Sequence, residues 1–202
     1  MTLDRLRPLA DRAVDPFVGL ASRVGLTPNG VSVLAMLVAT AASVSFYLAR
    51  DRPLLYAAGA VLVFANGWLD VVDGALAREL AVDSAAGDLL DHVLDRYADI
   101  VIIVGLAGGI GRHALGFAAV TGVLMTSYLG TQAQAVGLDR VYGGVMGRAD
   151  RLALVGLVTA VTPAIGGPVG GLTPVGWLLV VLAVVGHLTA LQRFYHAMRS
   201  LD

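Results

Sequence analysis

Four aspartates stand at spacings that could hold metal ions. Asp70 and Asp73 are three residues apart, and Asp91 and Asp95 are four apart. They belong to a stretch, Asp70 to Asp95, that carries seven of the chain's 15 acidic residues between almost purely apolar flanks. Spacings of three and four put each pair on one face of a helix, and Asp88 and Asp99 extend the second row. Carboxylates gathered in apolar surroundings need cations to stay ionised. Oxygen-only ligands without a His pairing point to Mg²⁺ or Mn²⁺ rather than zinc. Two such ions sharing bridging carboxylates suit phosphoryl chemistry. Gly74 and Ala77 follow Asp73, and Gly87 precedes Asp91 by one turn; small residues there let a substrate or a neighbouring backbone come close. Arg78 ends the first helix, where it could bind a phosphate oxygen. Singly, a Gly in such a helix packs and an interfacial Arg anchors orientation; the joint spacing is what suggests a site.

The elements that must position these residues are apolar. The 202-residue chain is 57% hydrophobic and 14% charged, against about 25% charged in soluble domains, and its mean hydropathy is +0.77. That composition describes an all-α polytopic membrane protein. Six apolar segments are long enough to span, near 31–49, 54–77, 86–110, 113–136, 150–165 and 174–194. They form one membrane domain over 27–202, preceded over 1–26 by a segment with Leu3, Leu6, Leu9, Ala13, Phe17, Leu20 and Val24 at helical spacing. That segment reads as an amphipathic helix on the membrane surface. The net charge of −1 implies no nucleic-acid partner. There is no Cys, so thiol chemistry is excluded, and every basic residue is Arg, so a Schiff-base lysine is excluded too.

With six spans both termini share a side. Arg5, Arg7, Arg12, Arg23, Arg78, Arg96, Arg140, Arg148, Arg151, Arg193 and Arg199 fall there, against Arg50, Arg52 and Arg112 opposite. The bias predicts cytoplasmic termini and a cytoplasmic acidic stretch, in a multi-pass protein of the cell membrane.

The pattern D-x2-D-G-x2-A-R-x8-G-x3-D-x3-D is matched at every position by Asp70, Asp73, Gly74, Ala77, Arg78, Gly87, Asp91 and Asp95. The sequence resembles the CDP-alcohol phosphatidyltransferases along nearly its whole length. The resemblance implies that Asp70, Asp73 and Asp91 bind one metal ion and Asp70, Asp91 and Asp95 a second. Asp95 would also be the base that deprotonates the acceptor hydroxyl. Gly74, Ala77, Arg78, Ser84 and Gly87 would line the CDP-lipid site, with the turn Thr27, Pro28, Asn29 near the nucleotide. An acceptor alkoxide would attack the lipid-side phosphorus and release CMP. The family also implies a homodimer.

Within the family the chain most resembles the phosphatidylinositol-phosphate synthases and their archaeal ether-lipid relatives. The carrying stretches are R-V-G-L-T-P at 23–28, T-S-Y at 126–128, G-G-V-M-G-R-A-D-R at 143–151 and L-Q-R-F at 191–194. Arg148, Arg151 and Arg193 could together bind the phosphate of a phosphorylated polyol, inositol phosphate being favoured. One departure stands out: two positions that are usually basic after S-Y are Gly130 and Gln132. Glycerol phosphate is therefore the alternative acceptor. A divalent-cation transporter is the alternative of another class, since intramembrane acids often mark ion paths. It would carry acids near the midplane and on both sides, whereas here they gather at one end.

Overall fold

The computed structural model describes residues 7–82, 84–139, 144–165, 167–168 and 170–201, with backbone alone for 7–13 and 15. Residues 1–6 of the surface segment, with Leu3, Leu6 and Arg5, lie outside the described residues, as does Arg140 of the charge count. Among the described residues there are seven α-helices and no strand. They are α1 (Arg7–Arg23), α2 (Pro28–Leu48), α3 (Leu54–Leu80), α4 (Ala85–Gly109), α5 (His113–Ala135), α6 (Arg148–Val161) and α7 (Pro174–Leu201), with a short 3₁₀ helix at Thr162–Ala164.

The helix starts follow from local chemistry. Thr27 caps α2, its Oγ1 accepting the Gly30 amide at 3.1 Å, and Pro28 takes the first helical position where no amide donor is needed. Ser84 caps α4 in the same way, accepting the Gly87 amide at 3.0 Å. The α3–α4 connection is sharp because Ala81 ends α3 in the left-handed conformation (φ 50°). α6 begins with the Gly147 amide donating to Asp150 Oδ2 at 3.0 Å.

Six helices therefore occupy the six apolar segments. Four of them, α2, α3, α5 and α7, are long and apolar enough to cross a membrane. α4 is as long as these but carries Asp88, Asp91, Asp95, Arg96 and Asp99 along its first four turns. α6 has only 14 residues before the 3₁₀ turn that contains Pro163. Large apolar side chains such as Leu37, Tyr47, Val61, Phe117, Leu157 and Val184 face outward, as they do on bundles solvated by lipid.

Close helix crossings rest on small residues. A Cβ on Gly105 of α4 would lie 2.7 Å from the Ser43 Cα of α2, and one on Gly186 of α7 would lie 2.9 Å from the Gly122 carbonyl carbon of α5. Thr126 ties the second crossing, donating to Gly122 O and Gly186 O at 2.9 Å. The main core runs between α2, α3, α4, α5, α6 and α7. A second cluster packs Val14, Val18 and Ala21 of α1 on Val31 of α2 and Val72 and Leu76 of α3. α1 thus seats the turn that opens α2 beside the acidic half of α3, while its Phe17 and Leu20, and Val24 just past its end, remain exposed.

Candidate active site

The charged side chains of the motif meet where the later turns of α3, the early turns of α4 and the start of α6 lie together. Asp70, Asp91 and Asp95 each offer a carboxylate oxygen, and these three oxygens lie within 4.8 Å of one another. Three hard oxygen donors at that separation fit a divalent cation of the Mg²⁺ or Mn²⁺ type. Asp73 stands beside this trio rather than in it. It is 6% exposed, and Ser32 of α2 donates to its Oδ2 at 2.9 Å.

Next to Asp73 and Asp91 opens a cavity of about 690 Å³. Its wall contains Thr27, Pro28 and Asn29 from the start of α2, Gly74, Ala77 and Arg78 from α3, and Ser84 and Gly87 from the start of α4. All eight residues that the motif suggested for a CDP-lipid are therefore brought around one space, with two of the aspartates at its polar end. Leu80 and Val82 add apolar wall. The helix starts explain the arrangement. The Thr27 and Ser84 caps fix where α2 and α4 begin, and Gly87 leaves the space that a Cβ would close: such an atom would lie 3.1 Å from Ser84 Oγ and 3.2 Å from Asn29 Oδ1.

Away from the cavity the same aspartates meet arginines. Arg148, the first residue of α6, pairs through Nη1 with Asp70 Oδ1 and through Nη2 with Asp95 Oδ1, both at 2.7 Å. Arg151, one turn on, donates to Asp99 Oδ2 at 2.8 Å. Arg193 of α7 is also buried, and its Nη1 donates to Thr126 O at 2.7 Å. Arg148 and Arg151 sit on the aspartate row, and Arg193 is bonded to the α5 backbone. Carboxylates gathered this closely in a low-dielectric bundle favour binding of a divalent cation.

Three polar residues of this network had no role in the sequence pattern. Ser32 is one helical turn from Pro28, which is its only sequence signal. Asp99 continues the Asp91 and Asp95 row by one more turn. Arg96 reaches Ser127 of α5 through Nη1 and lies 3.4 Å from Asp99 Oδ2. His92 folds back on its own helix, its Nδ1 2.8 Å from Asp88 O, and does not join the cluster. At the departure positions, Gly130 is buried in α5 and Gln132 is exposed.

Comparison with known proteins agrees with this geometry. Residues 25–189 match the family model for CDP-alcohol phosphatidyltransferase. An archaetidylinositol phosphate synthase of Methanothermobacter thermautotrophicus is 32% identical over 204 residues, covering 98% of this chain and 95% of the relative. A phosphatidylinositol phosphate synthase of Mycobacterium tuberculosis is 33% identical over 192 residues, covering 91% and 85%. Crystal structures of the M. tuberculosis enzyme superpose as well. The one with CDP-DAG bound gives a TM-score of 0.77 at 28% identity, covering 92% of this chain and 94% of that one. The one with manganese and citrate gives 0.78 at 27% identity, covering 92% and 88%. A helical bundle with a carboxylate cluster opening on a motif-lined cavity defines a membrane enzyme that handles a phosphorylated lipid. The chain belongs to the CDP-alcohol phosphatidyltransferase family, enzymes of phospholipid biosynthesis.

Proposed function

We propose that this enzyme transfers the lipid phosphate of a CDP-linked lipid to a hydroxyl of inositol phosphate and releases CMP. The observation that carries the proposal is the single cavity that joins the Thr27–Asn29 turn, Arg78 and Gly87 to Asp73 and Asp91. The turn would hold the nucleotide, Arg78 a phosphate oxygen, and the apolar wall the start of the lipid chains. Asp70, Asp73 and Asp91 would hold one Mg²⁺ or Mn²⁺ ion, and Asp70, Asp91 and Asp95 a second. Bound there, the ions supply charge neutralisation for the diphosphate and for the departing CMP. Asp95 takes the proton from the acceptor hydroxyl. The acceptor oxygen bonds to the lipid-side phosphorus as the bond from that phosphorus to the CMP oxygen breaks. Asp73, held by Ser32, keeps its place at the cavity throughout.

Inositol phosphate is supported by the names of the relatives, which are synthases of archaetidylinositol phosphate and phosphatidylinositol phosphate. Arg148, Arg151 and Arg193 would bind the acceptor phosphate. Arg148 is available for this once Asp70 and Asp95 give their oxygens to a cation. Gly130 and Gln132, where basic residues are usual, favour glycerol phosphate as the second reading. We further propose that α4 and α6 complete six spans, with α1 lying on the membrane surface. The termini and site then face the cytoplasm at the cell membrane, and the enzyme works as a homodimer. The test is an acceptor panel: purified enzyme, labelled CDP-diacylglycerol and Mn²⁺ or Mg²⁺ with inositol phosphate, glycerol phosphate, inositol, serine or glycerol. Turnover with inositol phosphate alone supports the proposal. Preference for glycerol phosphate replaces it with the second reading.

A further inference from the structure

Asp99 is 4% exposed and lies at the meeting point of three arginines. Its Oδ2 accepts from Arg151 Nη2 at 2.8 Å and lies 3.4 Å from Arg96 Nη1, while its Oδ1 is 3.9 Å from Arg148 Nε. It is not among the three clustered carboxylates and does not line the cavity. A buried carboxylate is offset only where its geometry is good and its remaining lone pairs find donors. Asp99 has one hydrogen bond, from Arg151, and two more guanidiniums, Arg96 at 3.4 Å and Arg148 at 3.9 Å, close by from two helices. The arrangement serves the arginines as well. Arg96, Arg148 and Arg151 crowd together, like charges repel in a low dielectric, and Asp99 is the anion they share.

We propose that Asp99 is a positioning residue for the acceptor. It holds Arg151, and through the shared carboxylate Arg148, in the arrangement that takes the acceptor phosphate. The inference rests on the reading of Arg148 and Arg151 as acceptor-phosphate ligands. Arg148 keeps its direction mainly from Asp70 and Asp95, at 2.7 Å each. Arg151 depends on Asp99, so an Asn at 99 acts chiefly on Arg151. The amide has the shape of the carboxylate but no charge, and its NH₂ group turns a donor toward guanidinium donors.

The experiment compares Asp99→Asn, Asp99→Glu and Arg151→Ala with the wild-type enzyme. The readouts are KM for inositol phosphate, KM for CDP-diacylglycerol, the Mn²⁺ dissociation constant, and the thermal midpoint in detergent. Losing a charge-assisted hydrogen bond corresponds to about 10- to 100-fold in affinity. Asp99→Asn should raise the inositol phosphate KM by about that factor, as Arg151→Ala does, with donor KM and Mn²⁺ affinity within about threefold. Equal losses in both KM values and in Mn²⁺ affinity overturn the inference, since a merely structural role gives that pattern. A raised acceptor KM in Arg151→Ala beside an unchanged one in folded Asp99→Asn also overturns it. No effect in Arg151→Ala removes the underlying reading, and the inference with it. If Asp99→Asn does not fold, Asp99→Glu decides: it keeps the charge but moves the carboxylate outward by one methylene. A raised acceptor KM at unchanged donor KM supports the inference, and a wild-type acceptor KM overturns it.

Discussion

Replacement of Asp95 by Asn separates the two tasks proposed for this residue. Asn has the same shape, so the packing of α4 against α6 is kept, and its amide oxygen can still face Arg148 Nη2, now 2.7 Å from Asp95 Oδ1. That oxygen is also the only one it can offer to the group formed with Asp70 and Asp91, and its NH₂ takes the place of Oδ2, 3.6 Å from Arg96 Nη2. What it cannot do is accept the acceptor proton. A positioned general base contributes about 10²- to 10⁴-fold in rate, which is about 3–5 kcal/mol of barrier. The lost charge also weakens metal binding, because one of three clustered carboxylates becomes neutral while Arg148 keeps its own charge beside it. The two effects are told apart by saturation. Mn²⁺ affinity is measured first by titration, and CMP release from CDP-diacylglycerol is then followed at Mn²⁺ well above the dissociation constant of each protein. The expected outcome is a kcat lower by about 10²- to 10⁴-fold at saturating metal, with Mn²⁺ still bound. A kcat within about tenfold of wild type under those conditions would refute Asp95 as the base.

Three further predictions follow from specific contacts. Ser32→Ala removes the 2.9 Å hydrogen bond to Asp73; bonds to charged groups are worth about 1.5–3 kcal/mol, so Mn²⁺ titration should show binding weaker by about tenfold or more, with Ser32→Thr restoring most of it. Gly87→Val places atoms in the gap between Ser84 Oγ (3.1 Å from a Cβ) and Asn29 Oδ1 (3.2 Å). It should raise the donor KM by about tenfold while the acceptor KM stays put, and an unchanged donor KM would place the nucleotide elsewhere. Gly105→Ala sets a methyl 2.7 Å from the Ser43 Cα; α2 and α4 must part, and overpacking of about 1–3 kcal/mol should appear as a lower thermal midpoint in detergent, with no drop counting against the close crossing.

The chain itself determined a good deal. Composition and apolar run length specified a helical membrane protein, because a long continuous apolar run satisfies its own backbone in lipid as a helix, and six helices stand at the six apolar segments. The Thr27 and Ser84 caps were visible as residue types next to apolar runs. The motif from Asp70 to Asp95 lies on two consecutive helices joined by a sharp turn, so its residues meet through local geometry and the site could be read from spacing. Helical periodicity says which residues share a face. It does not say which distant helix that face meets. Spacing alone therefore does not show that Asp73 meets Ser32, 41 positions away. Nor does it show that Arg148 meets Asp70 and Asp95, Arg151 meets Asp99, and Arg193 meets the carbonyl of Thr126. Asp99 shows the division most clearly. In sequence it is one more acid on a helical face. Only the packing of α6 on α3, which brings the start of α6 against α4 across 52 positions, makes it the shared anion of three arginines.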